Sequence, residues 1–222
     1  MQIEKKQIAY NRVTRNSAIR YIVIHDTGNK SKGADADSHF RYFNGGNRNS
    51  SADFFVDDKT VLQVNDYTKY YTWHVGDGKG KYGITNQNSV GIEICVNADG
   101  NYDGAYLKAA ELTKYLMKQL GIDASHVVRH YDASRKNCPA SMSANNWALW
   151  EKFKQLIREE IKMAECKFTD ISGHYGEKQI REVFEMGIMN GVDETHFEPD
   201  KPVTRAQAAI IARNVVRYIT GK

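Results

Sequence analysis

The chain alternates short apolar runs with longer amphipathic stretches. Tyr21–Ile24 (YIVI) is apolar and mostly β-branched, the pattern of a buried strand, and it runs into His25-Asp26-Thr27-Gly28, where a loop is expected. Ala34–Phe43 predicts a short helix stopped by Gly45-Gly46. Phe54–Val56 and Thr60–Val64 flank Asp57-Asp58-Lys59 and predict a hairpin, and Val90–Asn97 (VGIEICVN) predicts a strand with one charge inside it, Glu93. Ala105–Leu120 carries Leu112, Tyr115, Leu116 and Leu120 at helical spacing and is followed by Gly121, an amphipathic helix with a glycine stop. Val127-Val128 predicts a strand leading into a loop, RHYDASRKNCP (Arg129–Pro139). Trp147, Trp150, Phe153, Ile157, Ile161 and Ala164 repeat at helical spacing and predict a long helix packed on the sheet.

Strands alternating with helices predict an α/β domain over residues 1–163, a mixed central sheet flanked by helices. Residues 164–222 form a separate small helical module. Gln179–Met186 is amphipathic and precedes Gly187, Asp193–Pro202 is loop chemistry, and Thr204 with Gln207 fits a capping box opening a last helix through Tyr218. A helix–loop–helix of this size buries little surface, so it is expected to lean on a partner or another copy.

Composition narrows the class without choosing a function. With 41% hydrophobic and 26% charged residues the chain reads as globular rather than disordered. A net charge of +4 suits an anionic partner, nucleic acid or cell-wall polymer alike. Cys95, Cys138 and Cys166 are too few and too widely spaced for a disulfide framework. MQIEKKQIAYNRVTRNSAIRYIVI has no apolar stretch of the signal-peptide kind, and no later run has membrane-spanning length, so neither a signal peptide nor membrane insertion is expected.

The chemistry concentrates at predicted strand ends. His25 and His130 each directly follow an apolar strand, and Cys138 lies eight residues beyond His130. Two histidines and a cysteine suit a zinc site with an open fourth position; a Cys–His pair also suits thiol chemistry, and spacing leaves both open, along with no site at all. His126, two strand periods before His130, is expected on the same side and stays in contention as a ligand. His39, His174 and His196 are expected on the surface or at caps. Glu93 shares a face with Gly91 and Cys95; it pairs with a cation, lines a cleft, where beside a metal it would serve as general base, or faces solvent.

In order, YIVIHDTGN, Trp73-His74-Val75-Gly76-Asp77-Gly78, VGIEICVN and RHYDASRKNCP resemble the zinc-dependent N-acetylmuramoyl-L-alanine amidases over about residues 1–160. The resemblance implies that His25, His130 and Cys138 hold Zn2+, that Glu93 and Lys136 assist catalysis, and that His74 lines the substrate groove. His126 matches no ligand position. Asp53 stands near where many relatives carry an aromatic residue or histidine facing the zinc, and Ala133 and Arg135 replace residues more often Trp and Gly. The implied reaction is hydrolysis of the amide between N-acetylmuramic acid and L-alanine of peptidoglycan, with no nucleic acid involved. FTDI (Phe168–Ile171), MGIMNGVDETHFEPDKPVT (Met186–Thr204) and TRAQ (Thr204–Gln207) resemble a single S-layer homology motif, which implies binding to anionic secondary cell-wall polymer through Arg205. Gln207 stands where that motif usually carries an acid.

Two readings follow: a wall-lytic zinc amidase, and a non-catalytic peptidoglycan-binding protein on the same fold. Relatives that only bind have typically lost the ligand at the position of Cys138, which favours the enzyme. The expected route to the wall is cytoplasmic synthesis with release by a pore or lysis, as for a phage endolysin, or non-classical export.

Overall fold

In the computed structural model, which describes residues 1–158 and 166–220, the predicted strands assemble into one sheet. The strands are β1 (Glu4–Lys5), β2 (Arg12–Thr14), β3 (Tyr21–Asp26), β4 (Phe54–Val56), β5 (Val61–Gln63), β6 (Tyr70–Thr72), β7 (Ser89–Ile94) and β8 (Val127–Arg129). Six of them form a sheet in the order β1-β5-β4-β7-β3-β8. Only β4 and β5 pair antiparallel, as the hairpin requires; the other pairings are parallel. β2 and β6 form a separate antiparallel ribbon.

Period-two alternation divides the sheet into two faces. Ile22, Ile24, Phe54, Val56, Val90, Ile92, Ile94 and Val127 share a buried cluster with α2 (Tyr102–Leu120) and α4 (Ala144–Arg158), which contribute Leu112, Leu116, Trp150, Phe153 and Ile157. The stripe from Trp150 to Ile157 is therefore core, as its spacing predicts; Ile161, Ala164 and the expected domain limit at 163 lie outside the described residues. On the opposite face, Phe55, Leu62 and Cys95 pack with α1 (Ala36–Asn44), while Val23 packs with Val75, Ile84 and Ala133. Cys95 is thus a buried small hydrophobe.

The elements begin and end where local chemistry dictates. Asp35 caps α1 by accepting from the Ser38 amide at 2.8 Å. Gly121 closes α2 with φ of 64°. The strand after the N-terminal segment runs two residues further than its apolar pattern, so His25 and Asp26 belong to β3 rather than to a loop. RHYDASRKNCP is not all loop either: His130–Ser134 forms a short helix, α3, whose N-terminus Asp132 caps by accepting from the Arg129 amide at 2.9 Å and from its guanidinium at 2.7 and 3.0 Å.

The chain divides into two compact units, residues 1–158 and 159–222. The second contains α5 (Glu177–Glu185) and α6 (Arg205–Thr220); α5 contributes Ile180 to a small core with Phe168 and Ile171. Thr204 and Gln207 make the predicted capping box: the Gln207 side-chain oxygen accepts from the Thr204 amide at 2.9 Å, and the Gln207 amide donates to the Thr204 hydroxyl at 3.2 Å. A glutamine therefore does there what an acid would do. No helix among the described residues is long and apolar enough to cross a membrane.

Candidate metal centre

Parallel pairing brings the ends of β3, β7 and β8 together, where an α/β sheet usually builds its site. His25 and Glu93 are register partners on neighbouring strands, and His130 follows directly from β8. The chain then folds back: the Tyr131 amide donates to the Cys138 carbonyl at 3.0 Å, and the Ser141 amide donates to the Asp26 carboxylate at 2.7 Å. These bonds tie the Cys138 segment to the end of the strand that carries His25.

His25, His130 and Cys138 offer ligand atoms that all lie within 4.8 Å of one another, and all three residues are buried. His25 Nδ1 is 3.1 Å from His130 Nδ1 and 3.8 Å from Cys138 Sγ. A tetrahedral zinc with bonds of about 2.0–2.1 Å to nitrogen and about 2.3 Å to sulfur separates its ligand atoms by about 3.3 and about 3.6 Å, close to these spacings.

The hydrogen bonds around the cluster decide which nitrogens carry protons. The Thr85 carbonyl can only accept, so the Ser89 hydroxyl donates to it, at 2.5 Å, and accepts from His74 Nε2 at 3.1 Å. That leaves His74 Nδ1 as the acceptor from His25 Nε2 at 3.0 Å, and His25 Nδ1 without a proton. On the other side the Asp77 carboxylate accepts from His130 Nε2 at 2.8 Å and from the Ser134 hydroxyl at 3.1 Å, so His130 Nδ1 is also bare. Burial lowers the pKa of His25, His74 and His130, His74 to about 3, and keeps them neutral at pH 7. Two imidazole lone pairs thus face each other at 3.1 Å beside a sulfur, a repulsive arrangement that a cation between them relieves. The donor set fits zinc.

The remaining candidates surround the cluster. Glu93 Oε1 is 3.9 Å from His25 Nδ1, and its buried Oε2 has no hydrogen-bond partner. Burial, reinforced by Asp26 and opposed by Lys136, pushes the Glu93 carboxyl up to about 8. Lys136 is exposed and lines, with Trp73, His74, Asp77 and His130, a cavity of about 320 Å3. Burial also pushes the Cys138 thiol well above its usual range, the reverse of what an activated thiol nucleophile needs.

Several expectations change. His74 is buried with both ring nitrogens engaged, so that it holds His25 in addition to lining the cavity beside His130. His126 is exposed in a turn and bonded to Asp123, because the chain there is not an extended strand. His39 is buried rather than superficial, whereas His174 and His196 pair with Asp200 and Asp193. Asp53 does not line the cluster: its buried carboxylate accepts from the Gly91 amide, the Asn65 side chain and the Thr72 hydroxyl at 2.7–3.0 Å. Asp77 carries no expectation from spacing; its signal is an acid within the Trp73–Gly78 motif, the kind of partner a metal-bound histidine needs. Arg135 adopts φ of 70° at the end of α3, a conformation natural to the glycine more often found there. Arg205 opens α6 and is exposed.

The model of the N-acetylmuramoyl-L-alanine amidase family matches residues 15–141, a span that holds the whole cluster. The chain belongs to that family. The S-layer homology domain model matches residues 167–209. The N-acetylmuramoyl-L-alanine amidase CwlH of Bacillus subtilis is 39% identical over 132 residues, 60% of this chain and 52% of that protein. The amidase XlyA of the same organism is 39% identical over 134 residues, 60% of this chain and 42% of that protein. The chain thus spans about half the length of the curated relatives it matches. A solved structure of a mutant endolysin from Bacillus subtilis shares 38% identity with a TM-score of 0.63, covering 70% of this chain and 98% of that one.

Proposed function

We propose that this chain is a peptidoglycan hydrolase that cleaves the amide between N-acetylmuramic acid and L-alanine, working as an endolysin, with zinc held by His25, His130 and Cys138. The pair of bare, facing imidazole nitrogens beside the Cys138 sulfur carries this reading. Bound zinc lowers the pKa of a coordinated water to about 7 and polarises a carbonyl. His74 and Asp77 fix the tautomers and orientation of the two imidazoles, and burial keeps the rings neutral. Glu93, whose Oε1 lies 3.9 Å from His25 Nδ1, takes the proton of the attacking water at its Oε atoms and returns it to the departing L-alanine nitrogen. Lys136, on the cavity rim, offsets the negative charge that develops on the carbonyl oxygen. His74 contributes to the substrate groove through the same cavity wall. The second unit, residues 164–222, binds anionic secondary cell-wall polymer, with Arg205 as the contact; the exposed position of Arg205 at the start of α6 supports this.

Digestion of purified peptidoglycan tests the reaction. New amino groups on L-alanine without new reducing sugars are expected. New reducing ends, or cuts within the stem peptide, would sink it. Binding without any cleavage would favour a recognition protein on the same fold.

A further inference from the structure

Two loops meet beside the cavity that Lys136 lines. Gly78 approaches α3 so closely that a Cβ on it would lie 2.2 Å from the Ala133 carbonyl oxygen, and the Ser134 hydroxyl donates to the Asp77 carboxylate at 3.1 Å. These contacts bring residues 79–82 alongside the end of α3. Each segment carries exposed cations, Lys79 and Lys81 on one, Arg135 and Lys136 on the other. Lys136 belongs to the wall of the cavity beside His130, so the cationic surface begins at the rim of the proposed site.

Aromatic rings place these charges. The Arg135 guanidinium carbon lies 4.1 Å from the Tyr82 ring centre and 5.2 Å from that of Tyr131, and Lys81 Nζ lies 5.4 Å from the same Tyr82 ring. Arg135 Nη1 donates to the Tyr131 and Asp132 carbonyls at 3.2 and 3.4 Å, while Nη2 and Nε make no hydrogen bond among the described residues. The acids nearby are engaged elsewhere: Asp77 accepts from His130 and Ser134, and Asp132 from Arg129. Lys79, Lys81 and Arg135 therefore have no ion pair among the described residues. Two of the three stand on backbone that glycine would adopt freely, Lys79 at φ of 48° and Arg135 at φ of 70°. Strain of this kind marks functional surfaces, and what both side chains supply in exchange is positive charge.

We propose that Lys79, Lys81 and Arg135, set around the ring of Tyr82, bind the phosphodiester groups of a polyol-phosphate wall polymer, so that the catalytic unit has its own hold on the anionic wall. The choice of ligand rests on the amidase reading, which puts this rim against the wall. A peptide carboxylate is a single charge and needs one cation. Three unpaired cations beside Lys136 suit a polymer that carries a phosphate at every repeat. Arg135 stands where glycine is more often found among the amidases, which makes this contact a feature of this chain.

Amide NMR on the full chain, titrated with a synthetic glycerol-phosphate hexamer, reads this patch apart from the second unit. Resonances of residues 79–82 and 135 are expected to shift and saturate, and to shift less as salt is raised. Arg135→Gly relaxes the backbone and should weaken the affinity read at residues 79–82 about fivefold; adding Lys81→Ala should bring the loss to about tenfold or more, with the response at Arg205 unchanged. Arg135→Lys, which keeps the charge, should recover part of the loss. No shift at residues 79–82 in folded wild type, equal affinity in wild type and the double variant, or an equal response to polyglycerol without phosphate overturns the proposal. So does the same loss against a muramoyl tripeptide, which would assign the cations to a substrate carboxylate. Binding is read without turnover. A wild type that binds the hexamer yet releases no L-alanine amino groups from peptidoglycan counts against the amidase reading alone.

Discussion

The two units of this chain solve opposite problems with their polar side chains. In residues 1–158, His25, His74, Asp53 and His130 are buried, and hydrogen bonds place each to within one tautomer or rotamer. In the second unit the described core is Phe168, Ile171 and Ile180, while Val192, Val203, Ile210 and Tyr218 stay exposed. Its polar order comes from local loops and caps, such as the Asp170 carboxylate accepting from the Phe197 and Glu198 amides at 2.8–3.0 Å. Buried polar groups in a close-packed sheet can carry chemistry, because burial shifts their pKa values and packing fixes their aim. An exposed helix start such as that of α6 can offer charge to a polymer but holds no such geometry.

Substitutions in the two units should differ accordingly in size and kind. Cys138→Ser removes a metal ligand and with it several kcal/mol of transition-state stabilisation, so turnover of peptidoglycan should fall roughly a thousandfold or more while the fold persists. A fully active variant would remove the metal from the mechanism. Asp77→Ala frees the His130 ring and should weaken zinc binding by about 10–100-fold in competition with a chelator; unchanged affinity would mean that His130 is not held through Asp77.

Glu93 gives a pH signature in the metal-free protein. Its carboxyl titrates near 8 when folded and near 4.5 when unfolded. Between those values unfolding releases a proton, so stability is full below the unfolded pKa and is lost as pH rises through the folded one. Glu93→Gln should therefore raise the melting temperature of the metal-free protein more at pH 8 than at pH 5; an equal effect at both would mean that the carboxylate is not desolvated. The smallest change belongs to the second unit. Thr204→Ala removes a helix cap and should cost the C-terminal unit about 1 kcal/mol in thermal unfolding, leaving hydrolysis of soluble muramoyl peptides as it was.

What the sequence made legible follows from how local each signal is. The strands through Ile22 and Ile92 and the stripe from Trp150 to Ile157 show in their periodicity, because one-sided burial imposes it. The grouping of His25, His130 and Cys138 is a matter of motif order, since ligands more than a hundred residues apart leave no local trace. His126 lies away from the cluster because strand periodicity does not continue back into Ala124–His126, which form a turn. Asp77 leaves no local trace for the same reason: what distinguishes it is a partner across the fold, the ring of His130.

The central claim is tested most directly by returning zinc to chelator-stripped protein while following the release of L-alanine amino groups from purified peptidoglycan. Activity should vanish on stripping and return in full at about one equivalent of zinc per chain, with no new reducing ends. Full activity in the stripped protein, or no response to zinc by protein that remains folded, would contradict it.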